Sequence, residues 1–311
     1  MSIEINASKG IKQNTTEVTK IPVGTTAQRP DSPQAGMIRF NTDNGEIEAY
    51  DPALDGWRAI NQAFAEAVIA TGGTVTDITQ NGQIFRVHTF TSSGTFEVTR
   101  GGEVEYLVIA GGGGGGAGLE DAATGGGGGA GGYRSSVQGE RSGRDSASEQ
   151  KLEVTPQVYS ITVGAGGGGA GASGNGDKGG NSSFGSIVSE GGGFGAAPGG
   201  TSGSGGSGGG RPWQGARGLG VANQGFDGSN FNSGGSGAGG GGAGSQSTTR
   251  DGGDGISSTI DGSSVTRATG GSSNVNGTGA VNTGNGGFSQ TSPRTGTSGG
   301  SGIVIVRYRI G

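Results

Sequence analysis

Residues 104–116 read Val104-Glu105-Tyr106-Leu107-Val108-Ile109-Ala110 followed by an unbroken run from Gly111 to Gly116, and the join between the two halves decides what kind of fold the chain can have. The first half is a near-continuous apolar run of strand length, the pattern of a strand covered on both faces. The second half has no side chains at all. The same join recurs where Tyr159-Ser160-Ile161-Thr162-Val163 enters GAGGGGAGAS at 164–173, and where Phe184 to Val188 passes through Ser189-Glu190 into GGGFG at 191–195. A solvated low-complexity linker is the alternative reading, although linkers rarely interleave so many spaced apolar strands with their glycines.

Composition states the problem these joins must solve. Of 311 residues 79 are Gly and only 28% are hydrophobic, so an ordinary side-chain core cannot run the whole length. Each ordered Gly costs roughly 0.5–1 kcal/mol more than Ala in lost chain freedom. The compensation available is close approach of bare backbones, each satisfied amide contributing about 1 kcal/mol net and dense packing adding dispersion. Runs such as GGGGGAGG at 125–132 and a total of 8 Pro exclude a collagen triple helix, which needs Gly at every third position and abundant Pro. Left-handed threads of three residues per turn, bonded laterally through N–H and C=O, meet the same demand without that repeat. The expected fold class is mainly β with little helix: a small N-terminal β-module, then a β-sheet plus glycine-rich domain with polyglycine II-type threads.

Working outward, residues 1–61 read as the β-module. Ile38 and Phe40 share one face of a strand, Thr42-Asp43-Asn44-Gly45 turns it, and a return strand runs through Ile47 and Ala49. Trp57 and Ile60 close the unit. Residues 62–73 read as a short helical connector, with QAFAEAVI stopped by Thr71-Gly72-Gly73, and 74–311 as the glycine-rich domain. Within it, Ile84–Phe90 and Thr95–Val98 flank Ser92-Ser93-Gly94 as a hairpin would. Leu152 and Val154 mark a further strand. The last strand, Gly302 to Ile310, is expected to be largely buried with Arg307 and Arg309 exposed.

The remaining global features narrow the setting. A net charge of -5 and a pI near 5.0 leave no basic stripe for nucleic acid. There is no Cys, hence no disulfide scaffold and no Cys-ligated metal. The N-terminal residues lack a basic-then-apolar signal, and no apolar run approaches the ~20 residues that span a bilayer; neither membrane insertion nor a cofactor is expected. One His, His88, lies in the strand-like IFRVHTF, a poor setting for a triad. GxGxxG matches carry no weight at this Gly frequency. Asp251-Gly252-Gly253-Asp254-Gly255-Ile256 has the look of a calcium-binding nonapeptide but lacks its repetition. An enzyme is not expected.

Two stretches carry a resemblance. Arg29-Pro30-Asp31-Ser32-Pro33, Gly36 to Thr42, Glu46 to Tyr50 and Gly56-Trp57-Arg58-Ala59-Ile60 resemble the short β-module of phage tail-fibre and other virion proteins. HTFTSSGTFEV at 88–98, GGEVEYLVIAGGGGGG at 101–116, YSITVGAGGGG at 159–169, SSFGSIVSEGGG at 182–193, GGDGISSTIDGSSV at 252–265 and GGSGIVIVRYRIG at 299–311 are similar in order to the glycine-rich domain of phage fibres, a class that includes the glycine-rich adhesins of T-even-like phages. The resemblance implies a virion protein, assembled in the host cytoplasm, that attaches the particle to a host surface glycan or outer-membrane protein by non-catalytic binding at tip loops. It also implies tail or fibre proteins as partners and a homotrimer burying Ile38, Phe40, Trp57 and Ile60. A capsid or neck decoration protein, and a polyglycine ice-binding protein, stand as alternatives.

Two inserts break the glycine pattern. The first, from Tyr133 to about Val158, is charged and begins Tyr133-Arg134. The second, Arg211 to Phe231, gathers Trp213, Phe226 and Phe231 with Arg211, Arg217, Gln224 and Asn230. Aromatic rings beside amides and guanidinium groups suit a sugar ring and its hydroxyls, or a protein partner. The same rings would equally plug gaps between threads.

Overall fold

The computed structural model of the chain describes residues 5–6, 10–11, 21–52, 56–60, 67–119, 124–273, 275–290 and 294–310. The chain divides into two compact units, Met1–Glu66 and Ala67–Gly311.

In the first unit β1 (Ile5–Asn6) and β2 (Gly10–Ile11) form an antiparallel pair. β3 (Val23–Gly24), β4 (Ile38–Asn41), β5 (Glu46–Asp51) and β6 (Gly56–Ala59) form a sheet in that order. The expected hairpin is present, with Ile38 opposite Ala49 and Phe40 opposite Ile47, and its turn closes at Gly45 with φ +73°. Burial is the reverse of the usual amphipathic sheet. Arg39, Asn41 and Glu48 are buried, whereas Val23, Ile38 and Ile47 are 66%, 44% and 45% exposed. The Glu48 carboxylate organises the buried face: Arg29 Nε and Nη2 donate to its two oxygens at 3.1 and 2.6 Å, and Asn41 Nδ2 donates at 3.1 Å. The Arg29 bonds hold the Glu48 carboxyl below its ordinary range against the opposing effect of burial. Of the helical connector, residues 62–66 lie outside the described residues; its far end is a strand, β7 (Ile69–Thr71), because Ala70 pairs with Val98.

The second unit continues through β8 (Thr74–Gln80), β9 (Gln83–Phe90), β10 (Gly94–Arg100), β11 (Gly102–Ile109), β12 (Tyr133–Ser135), β13 (Leu152–Val154), β14 (Gln157–Thr162), β15 (Ser182–Phe184), β16 (Ile187–Ser189), β17 (Ile256–Ser258), β18 (Val265–Arg267) and β19 (Ile303–Arg309). One sheet runs β16-β15-β14-β10-β7. The other runs β12-β11-β19-β9-β8, with β13 also on β11. Phe96, Val98, Ile161 and Phe184 of the first sheet meet Phe90, Tyr106, Val304, Val306 and Tyr308 of the second in one apolar cluster. The other face of the second sheet packs Leu107, Ile109, Ile303 and Ile305 against Ala130, Tyr133, Val137, Ala243 and Ile260.

Three local expectations are corrected here. β9 and β10 do not form a hairpin: β9 pairs with β8 and β19, and β10 with β14 and β7, so Ser92-Ser93 carries the chain from one sheet to the other. The actual hairpin is β8–β9, turned by Asn81-Gly82 at φ +53° and +73°, the geometry that Asn-Gly favours. Phe184 to Val188 is not one strand but the β15–β16 hairpin, bent at Gly185 with φ +54°. Arg307 is buried, its Nε donating to Glu105 at 2.7 Å and its guanidinium lying 4.7 Å from the Phe85 ring centre.

Several glycine tracts leave or enter the strands directly, those at 111–118, 125–132 and 164–171 among them, and the hydrogen bonds reveal their path. The amides of Gly111, Gly114 and Ala117 donate to Gly180, Asp177 and Gly174. Those of Gly112, Gly115 and Gly118 donate to Gly300, Thr297 and Arg294, and those of Gly113 and Gly116 to Gly129 and Gly126. Partners thus repeat every third residue, the signature of a thread with three residues per turn. The carbonyls of Gly111, Gly112 and Gly113 accept from Gly192, Gly167 and Gly287, so six neighbours surround this thread. Residues 126–132 repeat the pattern with acceptors at 190–196, 238–241 and 284–287. All of these threads belong to one chain.

Side chains are excluded by geometry. A Cβ built on Gly113 would lie 2.2 Å from the Gly193 carbonyl oxygen, and one on Gly128 would lie 2.1 Å from that of Gly113; real carbon atoms do not approach so closely. Gly113→Ala is therefore expected to cost at least 2–3 kcal/mol, the upper range for overpacking. Gly171→Ala, which meets nothing within 4 Å, should be neutral or stabilising by up to about 1 kcal/mol. Urea denaturation of the two variants checks the contrast.

A second expectation comes from His88, fully buried, with Nδ1 2.8 Å from the Gly72 carbonyl and Nε2 3.1 Å from the Tyr308 hydroxyl. A carbonyl only accepts, so Nδ1 carries the proton and Nε2 accepts from Tyr308. Burial pushes the imidazole below its ordinary 6.5, outweighing the Gly72 bond. The neutral ring is thus the folded form, and its contribution to stability is full above pH 6.5 and is lost as pH falls from there toward the lowered value. Between pH 7 and 5 the unfolding free energy should decline with a slope of at most about 1.4 kcal/mol per pH unit that His88→Gln removes.

Candidate functional site

The sequence placed nine candidate binding residues in two inserts, and the structure separates them into three environments. Tyr133 is fully buried in β12, its hydroxyl pushed above the ordinary tyrosine range chiefly by burial. Arg134, next to it, gives Nε and Nη2 to Glu149 at 2.8 and 2.6 Å. Neither presents a free polar group to a partner. Between β12 and β13 the first insert folds back on the thread bases: the Arg144 amide donates to Ala243, and Gly143 lies against Gln224.

The second insert keeps much of the thread pattern. Residues 216–221 and 225–229 are two further threads, with Gly218 bonded to Gly209 and Gly228 to Gly218. The turn between them sits at the bundle base, where the Tyr133 amide donates to the Gln224 carbonyl and Gln224 Oε1 accepts from Glu190. Arg217 and Phe226 join an internal ion cluster beside it. Asp227 Oδ1 accepts from Arg144 Nη1 at 3.2 Å and from the Gly220 amide at 3.0 Å, Oδ2 accepts from Arg217 Nη2 at 3.2 Å, and the Arg144 guanidinium lies 5.6 Å from the Phe226 ring centre. Burial alone would raise the Asp227 carboxyl, but the Gly220 amide and the two arginines outweigh it and hold the group below its ordinary range. These residues fasten the threads to the charged insert.

Arg211, Trp213, Asn230 and Phe231 form the third group, at the end of the bundle remote from the sheets. The thread 111–118 starts where β11 stops, and at ~3.1 Å per residue it carries its far end about 25 Å away. The turns there are stitched to one another. The Trp213 amide donates to the Thr124 carbonyl at 3.2 Å and the Gly199 amide to the Trp213 carbonyl at 2.7 Å. Thr124 Oγ1 accepts from the Gly237 amide and shares a hydrogen bond with Ser273 Oγ at 3.1 Å. The Ser273 amide donates to Arg250, whose guanidinium lies 5.9 Å from the Phe231 ring centre, and the Gly118 amide donates to Arg294. Arg250 and Arg294 are not among the sequence candidates; isolated arginines in Ser/Thr-rich stretches give no local sign of lying beside Phe231 or Leu119.

Trp213, Phe231 and the arginines are each half-buried, while Asn230 is exposed. The far end of the bundle thus holds ring and guanidinium groups fixed by backbone bonds. A cleft of about 390 Å³ lies elsewhere, at the bundle base between Glu140, Arg141 and Ile256-Ser257, and there Arg141 is already paired with Asp145. Among the described residues no cluster of His, Cys, Asp and Glu is arranged to hold a metal ion, and no helix is long and apolar enough to cross a membrane. Of the four residues expected to form an oligomer face in the first unit, Ile38 and Phe40 lie on the open apolar side. Trp57, paired in register with Tyr50, lies on the opposite side, its ring 5.9 Å from the Arg39 guanidinium; Ile60 follows β6 and is half-buried.

The ion cluster makes a stability prediction. Asp227→Asn should cost roughly 1–2 kcal/mol, because charge-assisted bonds to two partly exposed arginines are lost. In the wild type that contribution is present above the ordinary Asp range and is lost as pH falls through the lowered folded value. Thermal denaturation at pH 7 and pH 3 should show the two proteins converging in acid.

No curated protein matches this chain. A family profile described as a glycine-rich domain matches residues 89–309, from within β9 to the end of β19, its neighbour in the sheet, and so takes in nearly all of the second unit. On that match, which covers more than half of its length, the chain belongs to the glycine-rich domain family.

Proposed function

We propose that the chain is a non-catalytic attachment protein of a virus particle, a phage tail fibre or adhesin, in which the far turns of the thread bundle meet the host surface. The observation that carries this reading is the collection of ring and guanidinium groups at the end of a stiff, glycine-rich bundle. A bundle bonded on all sides presents its turns with little conformational freedom to lose on binding, which favours affinity. The receptor contacts are assigned to Trp213, Arg211, Asn230 and Phe231. Arg217, Gln224 and Phe226 are assigned to holding the threads, and Tyr133 and Arg134 to the sheet end.

The first unit supplies the connection to the particle. Its open side, with Val23, Ile38, Phe40 and Ile47, suits burial between copies of the chain, and a homotrimer would raise attachment strength through several simultaneous contacts. Assembly on other tail or fibre proteins belongs to the same reading. The chief alternative is a capsid or neck decoration protein with the same architecture and no receptor.

Adsorption inhibition separates the two. Purified chain should bind cells that the parent particle infects and reduce particle attachment in a concentration-dependent manner, and Trp213→Ala should weaken that competition at least 10-fold with its melting temperature unchanged. A chain that neither binds those cells nor competes would be a decoration protein.

A further inference from the structure

Through the sheets and the thread bases, arginines are neutralised where they stand. Arg86 pairs with Asp77, Arg134 with Glu149, Arg144 and Arg217 with Asp227, Arg267 with Asp261 and Arg307 with Glu105. Arg211, Arg250 and Arg294 depart from this pattern. None of them forms an ion pair with a carboxylate among the described residues, and all three lie at the far end of the threads. Their positions are nonetheless fixed. Arg211 Nε donates to the Gly215 carbonyl at 2.9 Å, Arg294 Nη1 donates to the Leu119 carbonyl, and Arg250 lies over Phe231. Among the described residues no carboxylate engages the remaining guanidinium donors; the acidic residues beside these positions in the sequence are Asp251, which follows Arg250, and Glu120-Asp121, which follow Leu119.

From this segregation we infer that the far face binds an acidic polysaccharide, a polymer whose sugars carry carboxylate or phosphate groups. The inference rests on the attachment reading and names the chemistry of its target. A planar guanidinium pairs both oxygens of a carboxylate or phosphate at once. The half-buried Trp213 and Phe231 give sugar rings apolar faces to lie on. The cations come from separate segments of the chain and none of them lines the cleft at the bundle base, so they suit a repeating anion spread along a chain better than a single small molecule held in a cavity. Partly desolvated, they attract such a polymer through a field that salt weakens over about 8–10 Å at ordinary ionic strength.

The full chain is tested on immobilised polygalacturonate, poly(glycerol phosphate), dextran and poly-L-glutamate. Binding is expected to polygalacturonate or poly(glycerol phosphate), the pair telling carboxylate from phosphate, and to fall at least 10-fold between 50 and 500 mM NaCl. The triple variant Arg211→Gln/Arg250→Gln/Arg294→Gln should lose at least 10-fold in affinity, and Trp213→Ala should lose affinity without losing the salt dependence. Circular dichroism melting confirms that each variant is folded. Equal binding to poly-L-glutamate would reduce the face to a non-specific cation, and equal binding to dextran would remove the role of charge; either overturns the inference. Cell adsorption that persists in 500 mM NaCl and in the triple variant overturns it while leaving attachment intact. Acidic-polymer binding without any cell adsorption would instead support the glycan chemistry and overturn the attachment reading.

Discussion

Two main chains can lie closer together than any pair of side chains permits, provided that neither carries a Cβ on the facing side. The second unit is built on that allowance. Gly113 faces the carbonyl of Gly193 while its own carbonyl faces Gly128, and a methyl group at either glycine would force two threads apart. Close approach also places each amide within bonding distance of a carbonyl on the next thread, so the polar groups that glycine exposes are consumed by the packing that glycine permits. In ordinary domains the apolar core and the hydrogen-bond network are made by different atoms. Here, beyond the two apolar clusters at the sheets, the same atoms serve both ends, and the loss of chain entropy is offset without a side-chain interior.

Parts of this arrangement were legible in the residues. The strand-to-glycine joins at Ala110-Gly111 and Val163-Gly164 identify where threads begin, because a buried strand pattern that stops at bare backbone has nowhere to go except into another backbone-bonded structure. Asn81-Gly82 carried the hairpin signal plainly, yet the exposed, Thr-rich β8 has weak alternation, and the stronger Phe96 and Val98 pattern downstream drew the pairing to the wrong strand. Arg307 was placed outside because a charge in a strand usually marks the solvent side; Glu105, 202 residues away in sequence, is what makes its burial affordable. The routing of the threads could not be read at all. A glycine tract has no face, so which neighbour lies on which side is set by the strands and turns that deliver it.

The candidate site followed the same division. The aromatic and arginine content of 211–231 is visible, but the stretch breaks the thread pattern less than its composition suggests, since Gly218, Gly220, Gly225 and Gly228 hold two stretches of it in the bundle. Sequence proximity therefore joined residues that the fold sends to opposite ends: Gln224 lies at the base and Trp213 at the tip. Thread-forming segments of similar length act as fixed spacers, so position along a thread, rather than position along the chain, decides which side chains meet.

The last strand of the unit is also the middle one. β19 lies between β11 and β9, paired with both, and contributes Val304 and Val306 to one apolar cluster and Ile303 and Ile305 to the other. Until residues 303–309 have left the ribosome, β9 and β11 have no partner to join them, although some two hundred residues of glycine-rich chain are already outside. Completion of the sheet is thereby tied to the end of translation of this segment, and a nascent chain stalled upstream would expose two open strand edges, the kind of surface that holding chaperones cover and that aggregates when they do not.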